Sequence, residues 1–291
     1  MKKYLWAILI LLIAFIGVVV GYQRCQKPLV SVVMLTYKRA DIVPQAIDSI
    51  LAQTFKDFEF IILNDGSPDN TDEVIKKYVK KDSRIRYYKN DQNRGIAYSR
   101  NRAASLAKGK YVAIMDDDDE SLPERLQKQV EFMEKHPDVT VVSGQIKESI
   151  WPEISQDSNQ LAAGLIQLNN IGNANTMYRR EFVQEHKITY QNVDYGEDWY
   201  FWLEILFSGG KFSAISDEVI YRRDFSEKHY KAHPERAYET INQYVGNFFS
   251  PENPEAFYQA DPCGKLKMIE KAPVQIFTKE YMEMLLKTNC F

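Results

Sequence analysis

Tyr111-Val112-Ala113-Ile114-Met115-Asp116-Asp117-Asp118-Asp119-Glu120 turns from wholly apolar to wholly acidic between two neighbouring residues. The first half reads as a short strand buried on both faces, the signature of a parallel sheet covered by helices. The acidic half begins where that strand ends. In such folds ligands bind in the crevice outside the carboxyl ends of the strands, so the acids stand at its mouth. A period of two points Asp116 and Asp118 to one side and Asp117 and Asp119 to the other. Carboxylates this close repel one another unless a cation or water lies among them. Hard oxygen ligands of this kind suit Mg²⁺ or Mn²⁺, which keep positions open for substrate phosphates. The bland alternative is a solvated acidic loop leading into the next helix.

Outward from this stretch, strands and helices alternate. Residues 29–35 form a β-branched apolar strand, Val43–Leu51 have helical spacing, and 58–63 form a second strand. Asn64-Asp65-Gly66-Ser67-Pro68 is dense turn chemistry. Asn70 or Thr71 then caps a helix with Asp72 and Glu73 early and four lysines late, the order the macrodipole favours. A strand at 85–88 and a helix at 96–107 follow. Ser121-Leu122-Pro123-Glu124 reads as a capping box opening a helix to about His136, and 139–146 as another strand. The order implies a doubly wound, mostly parallel α/β sheet. Beyond it, 151–160 reads as loop, 174–178 as strand, 197–207 as an aromatic-rich helix, and 212–221 as strand. From Lys231 the chain is proline-punctuated and closes on an amphipathic stretch at 277–286, a C-terminal cap. The expected division is 1–27, 28–230 and 231–291.

The chain of 291 residues carries Lys+Arg 37 against Asp+Glu 40, a net charge of −3 that argues against a nucleic-acid partner. Hydrophobic residues at 45% and charged residues at 26% are ordinary for a globular domain. Cys25, Cys263 and Cys290 are too few and too scattered for a disulfide scaffold. Residues 4–22 carry no charge, and as a helix they roughly match a bilayer's hydrocarbon core, with Tyr4, Trp6 and Tyr22 at the ends as an aromatic belt. A retained single-pass anchor is expected; a cleaved signal peptide is the rival, but the run exceeds its usual apolar core of about 7–15 residues.

A second carboxylate pair, Glu197-Asp198, opens the aromatic helix after Tyr195-Gly196. Acids in a first turn are ordinary dipole partners. Trp199-Tyr200-Phe201-Trp202 beside them suit either a sugar-facing surface or a core, and a partly desolvated Asp can serve as general base. The turn Thr36-Tyr37-Lys38-Arg39-Ala40-Asp41 contains no glycine, which removes the dinucleotide fingerprint, and no P-loop is present. A bound nucleotide would need its phosphates neutralised by something other than a glycine loop. His229 and His233 have the spacing of two ligands on one helical face, with no third ligand evident.

Together, Val30-Ser31-Val32-Val33-Met34-Leu35-Thr36-Tyr37, Asn64-Asp65-Gly66-Ser67, Asn93-Arg94-Gly95 with Arg100-Asn101, Met115-Asp116-Asp117-Asp118-Asp119 with Leu122-Pro123-Glu124-Arg125-Leu126, and Gly196-Glu197-Asp198 resemble the family 2 inverting glycosyltransferases of GT-A fold. The resemblance covers roughly residues 28–230 and implies bacterial cell-envelope or polysaccharide biosynthesis. It implies that Thr36 and Tyr37 lie against the nucleoside, that Asp65 bonds the base, uracil in the commonest case, and that Arg100 belongs to the same nucleotide-sugar site. Asp116-Asp117-Asp118 looks like the DxD motif, with Asp118 a metal ligand, Asp116 towards ribose or metal, and Asp117 near the donor sugar. Asp198 matches the catalytic base, with Glu197 and Trp199 on the acceptor side. Asn64 stands where an Asp is usual, and Lys38 where an Asn is usual. The implied reaction is a metal-assisted, inverting transfer from a nucleotide-sugar to a glycan or lipid-linked acceptor, with Mn²⁺ or Mg²⁺ as cofactor. A glycoside hydrolase would use two carboxylates without the acidic metal cluster. A membrane-tethered sugar-binding module would not need Asp198. No Asn-x-Ser/Thr occurs in the chain, which leans towards a catalytic domain facing the cytoplasm.

Overall fold

Strand β1 (Val30–Thr36) is the axis on which the site is built. It pairs in parallel with β2 (Phe58–Asn64) and with β4 (Tyr111–Met115), and β3 (Ile85–Lys89) adds in parallel outside β2. The register sets Val30 opposite both Phe58 and Tyr111, Thr36 opposite Asn64, and Met34 opposite Met115. The residues that leave these strands, Tyr37, Asp65 and Asp116, therefore emerge at one edge. This computed structural model describes residues 27–147, 153–167, 169–193, 196–222 and 234–290.

Both faces of the parallel strands are buried, as their unbroken apolar runs require. Val30, Val32 and Met34 pack with Ile47 and Ile50 of α1 (Val43–Leu51), Ile75 of α2 (Thr71–Val79), and Leu126 and Met133 of α4 (Arg125–Lys135). Val33, Ile61, Val112 and Ile114 face the other way, onto Ala97 and Ala103 of α3 (Ile96–Leu106) and onto α7 (Glu197–Phe207). Each such side chain stabilises by about 1.5–3 kcal/mol when fully buried, and a one-residue slip would exchange the two faces. The register that aligns the site is thus fixed by the core.

The described strands form one sheet in the order β3-β2-β1-β4-β7-β6-β8-β5, with β5 (Asp119–Ser121), β6 (Val141–Lys147), β7 (Thr176–Arg179) and β8 (Phe212–Arg222). Its character changes at β7, which runs antiparallel to both β4 and β6, while β6 and β8 are parallel and β5 is antiparallel to β8. The parallel pattern therefore holds for residues 30–115 and becomes mixed beyond. Helix α5 (Ser158–Gln167) occupies part of what reads as loop, and the short α6 (Arg180–Glu185) follows β7.

The capping box at Ser121 does not form. Ser121 ends β5, where its amide donates to Ser49 Oγ at 3.0 Å and its hydroxyl accepts from Gln53 Nε2 at 3.2 Å. Helix α4 starts at Arg125, and Gln53 Oε1 accepts from the Leu126 amide at 3.0 Å. A remote glutamine does the work expected of the local serine.

The C-terminal helices α8 (Pro234–Phe249), α9 (Pro254–Gln259), α10 (Pro262–Glu270) and α11 (Lys279–Cys290) cap the same core as α7. Phe248 stacks on Phe207 at 3.9 Å, and Tyr244 donates to Glu204 at 2.8 Å. Cys263 and Cys290 are joined in a disulfide between α10 and α11, so the scattered cysteines include one bridged pair. The expected anchor at 4–22, with His229 and His233, lies outside the described residues. Among the described residues no helix is long and apolar enough to cross a membrane.

Candidate active site

A cleft of about 530 Å³ opens at the carboxyl edge of β1, β2 and β4, lined among others by Thr36, Tyr37, Arg39, Asp65, Arg100 and Asp116 to Asp119. The turn after β2 can be made only with glycine: Gly66 has φ +70°, and a Cβ there would lie 2.4 Å from the Gln92 carbonyl carbon. Asn64 is fully buried, accepting from the Ser67 amide at 2.8 Å and donating to Tyr87 OH at 3.0 Å. Its replacement of the usual Asp thus concerns the turn itself. Asp65, 5% exposed, accepts from Asn90 Nδ2 (2.5 Å) and from the amides of Arg94 (2.9 Å) and Gly95 (3.0 Å). It holds the 93–95 loop against the cleft, and an ionised carboxylate has lone pairs left for a base. Lys38 has φ +57°, a left-handed conformation that Asn tolerates better, which accounts for the Asn usual there.

The acidic run alternates as the period of two suggests, although it makes a turn, Asp119 N to Asp116 O at 3.4 Å, rather than an extended strand. Asp117 and Asp119 are 8% and 5% exposed, while Asp116 and Asp118 are half-buried. Burial pushes the Asp117 carboxyl up to about 7, against the Thr36 hydroxyl and the Arg39 guanidinium. Arg39 Nη2 lies 3.5 Å from Asp118 and Nε 3.8 Å from Asp117. Among the described residues no three His, Cys, Asp or Glu side chains converge into a metal cage. Asp116 and Asp118 suit a Mg²⁺-type ion that takes its remaining ligands from a diphosphate and water.

The second carboxylate pair joins this edge through one cation. Arg100 Nη1 donates to Glu197 Oε1 at 2.7 Å, and Nη2 lies 3.7 Å from Asp116 Oδ1, with Tyr190 beneath the guanidinium. Burial opposes its charge, but Glu197 and Asp116 outweigh that and keep Arg100 protonated. Burial also raises the Glu197 carboxyl above its ordinary range, with Arg100 pulling it back. Gly196 enters α7 with φ +78°, so the chain turns sharply and sets both acids on the first turn, at the positive end of the helix dipole. Asp198 Oδ1 accepts from the Trp199 amide at 2.7 Å, and Oδ2 from Asn169 Nδ2 at 3.4 Å.

Trp199 itself departs from the acceptor-side expectation. It is 4% exposed, and its indole donates to the Leu165 carbonyl at 2.6 Å, so it seats α7 on α5. An aromatic next to a helix's first turn faces inward here because the acids take the outward side.

Three residues at the site escape the motif reading. Arg39 was marked only by its place after the first strand. Asn169 and Asn173, which donates to Asp116 at 3.4 Å, belong to no motif, and the one local signal they carry is the crowding of asparagines in 169–175.

The family model "Glycosyl transferase family 2" matches residues 31–195. An uncharacterized glycosyltransferase, MJ1057 of Methanocaldococcus jannaschii, is 34% identical over 209 residues, 68% of this chain and 71% of its own. The UDP-Glc:alpha-D-GlcNAc-diphosphoundecaprenol beta-1,3-glucosyltransferase WfaP of Escherichia coli is 32% identical over 186 residues, 63% of this chain and 72% of its own. In fold, the chain is similar to S. aureus TarS 1-349 solved in complex with UDP-GlcNAc, with a TM-score of 0.66 at 17% identity over 91% of this chain and 72% of that one.

Proposed function

The chain belongs to glycosyl transferase family 2, and from that premise we propose that it moves a sugar from a UDP-sugar onto a hydroxyl of a glycan or lipid-linked acceptor with inversion at the anomeric carbon. The observation that carries this reading is Arg100, which lines the cleft and ties the acidic strand end at Asp116 to the helix start at Glu197, so that two carboxylate groups distant in sequence meet on one cation at the cleft wall. Asp198, beside Glu197, takes the proton from the acceptor hydroxyl. The freed oxygen bonds to the anomeric carbon from the face opposite the nucleotide, and the bond to the diphosphate breaks as the nucleoside diphosphate leaves. Arg39 supplies the cationic partner for phosphates that no glycine loop provides. Thr36 and Tyr37 border the nucleoside and Asp65 its base, Asp117 lies by the donor sugar, and Glu197 faces the acceptor. A divalent ion, Mn²⁺ or Mg²⁺ on Asp118 and Asp116, would stabilise the negative charge of the leaving diphosphate.

The name of the Escherichia coli relative supports a UDP-sugar donor and a lipid-diphosphate-linked acceptor in the bacterial envelope. A lipid-linked acceptor also agrees with the uncharged stretch at 4–22 acting as a membrane anchor that holds the catalytic domain, 28–230, at the membrane surface.

The test is release of nucleotide by the full chain from a panel of UDP-, GDP- and dTDP-sugars, with and without Mn²⁺, with the product's anomeric configuration read by NMR. Metal-dependent release from a UDP-sugar with inversion is expected. Full activity in chelator, or retention of configuration, would overturn the mechanism.

A further inference from the structure

Two of the residues lining the cleft are arginines, and they are held in different ways. Arg100 is locked: Nη1 donates to Glu197 Oε1 at 2.7 Å, and its side chain is 11% exposed. Arg39 is fixed at its root and loose at its tip. Its amide donates to Thr71 Oγ1 at 3.1 Å, and its carbonyl accepts from the amides of Ile42 (3.1 Å) and Val43 (2.9 Å), where α1 begins. The guanidinium straddles two acids, with Nη2 3.5 Å from Asp118 Oδ2 and Nε 3.8 Å from Asp117 Oδ1. Charge-assisted hydrogen bonds between guanidinium and carboxylate close to about 2.7–2.9 Å, so Coulomb attraction holds this group without a fitted fork. At 30% exposure the side chain has solvent to swing into.

The place of that guanidinium conflicts with the divalent ion that Asp118 suits. A Mg²⁺-type ion binds a carboxylate oxygen at about 2.0–2.1 Å. It would then sit within a few ångströms of the guanidinium, two positive charges against one. A nucleoside diphosphate resolves the conflict. Its oxygens match the guanidinium fork, as two separate acids at 3.5 and 3.8 Å do not, and they carry more negative charge than either carboxylate. A swing of the side chain about its anchored backbone moves the cation from the acids to the phosphates.

We propose that Arg39 is the positioning residue that couples donor to metal: it covers Asp118 until a nucleoside diphosphate draws its guanidinium away, so that nucleotide and divalent ion bind with positive cooperativity. This rests on the reading of the cleft as a nucleotide-sugar site and deepens it. The ion binding alone must break the Arg39 pair, whereas with nucleotide present the pair is already broken. The strength of the pair therefore enters as one factor in the enhancement each ligand gives the other, and by linkage that enhancement is reciprocal.

The experiment compares the full chain with Arg39→Gln and Arg39→Lys. It measures Kd for Mn²⁺ alone by electron paramagnetic resonance, and Kd for the tightest-binding of UDP, GDP and dTDP by calorimetry, in chelator and in saturating Mn²⁺. Arg39→Gln should bind Mn²⁺ alone about 2–5-fold more tightly, the range of a partly exposed ion pair. The factor by which Mn²⁺ improves nucleotide affinity should shrink by the same amount. Arg39→Lys, which keeps the charge, should change both less. A fixed charge beside the acids would tighten Mn²⁺ equally with and without nucleotide and leave the enhancement unchanged; that result overturns the proposal, as does an unchanged Mn²⁺ affinity in Arg39→Gln. A wild-type chain that binds a nucleotide with no enhancement by Mn²⁺ overturns the coupling and keeps the nucleotide site. One that binds no nucleoside diphosphate removes the reading of the cleft itself, and the proposal with it.

Discussion

The two edges of the cleft are made in different ways. On one, Thr36, Asp65 and Asp116 follow strands whose parallel ladders share a register, so backbone hydrogen bonds set their positions. On the other, Glu197 and Asp198 sit on a helix docked by side chains: Arg100 to Glu197 at 2.7 Å and Trp199 to the Leu165 carbonyl at 2.6 Å, with Phe201 stacked on Tyr190, whose loop Asn101 holds at both the carbonyl (2.7 Å) and the amide (2.8 Å). A ladder is lost only with the sheet, but a side-chain tie is lost with one substitution. The donor edge should therefore tolerate damage to the acceptor edge, and the chemistry should fail in separable ways.

The largest effects are expected at the proposed base and the proposed metal ligand. Asp198→Asn should lower kcat by about 10³-fold, about 4 kcal/mol of barrier, while leaving the affinity for UDP unchanged by calorimetry. Asp118→Ala should cost a similar factor but also weaken UDP binding in Mn²⁺ buffer and abolish its dependence on Mn²⁺. If Asp198→Asn weakens UDP as much as Asp118→Ala does, the two edges are one unit and the contrast between them fails.

Arg100→Met attacks the tie itself. Removing one partner of a largely buried ion pair costs about 3–5 kcal/mol, because Glu197 keeps its burial and loses its cation. The sign of the pH dependence follows. Burial holds the folded Glu197 carboxyl above its unfolded value, so the charged form destabilises the native state, and stability is regained as pH falls through that window. Without Arg100 the window widens upward, with Asp116 and Asp198 the charges left nearby. The melting-temperature deficit of the variant against wild type should be largest near pH 8 and shrink towards pH 5; a deficit that grows on acidification would contradict the pairing.

The same division separates what could be read from the sequence. Tyr111–Met115 and Glu197–Phe207 were legible because apolar runs and a glycine before paired acids carry their own physical meaning. The antiparallel direction of β7 was not, since a buried strand has the same composition whichever way it runs. Helix α5 was missed although its signal is local: Asp157 accepts from the Gln160 amide at 2.8 Å, an acid followed three residues later by Gln. The capping role of Gln53 and the contacts of Asn169 and Asn173 could not be seen, because their partners are 73, 29 and 57 residues away. Distance in sequence hides side-chain docking more than it hides strand register, which repeating apolar patterns announce.

The smallest expected effect asks how far the docked edge extends. Tyr244 of α8 donates to Glu204 on α7 at 2.8 Å and packs its ring, tilted by 34°, against Tyr200 at 4.1 Å. Tyr244→Phe keeps the ring and removes the hydroxyl, so the loss is one hydrogen bond to a charged group, about 1.5 kcal/mol in urea unfolding. Because α7 is also held by Arg100, Trp199 and the Phe207–Phe248 stack, the acids at its first turn should stay in place, and the variant should show wild-type kcat with unchanged KM for donor and acceptor. A rise in acceptor KM at unchanged donor KM would instead make the C-terminal helices part of the acceptor edge, since a shift of α7 is the one route by which a hydroxyl on its far side could reach Asp198.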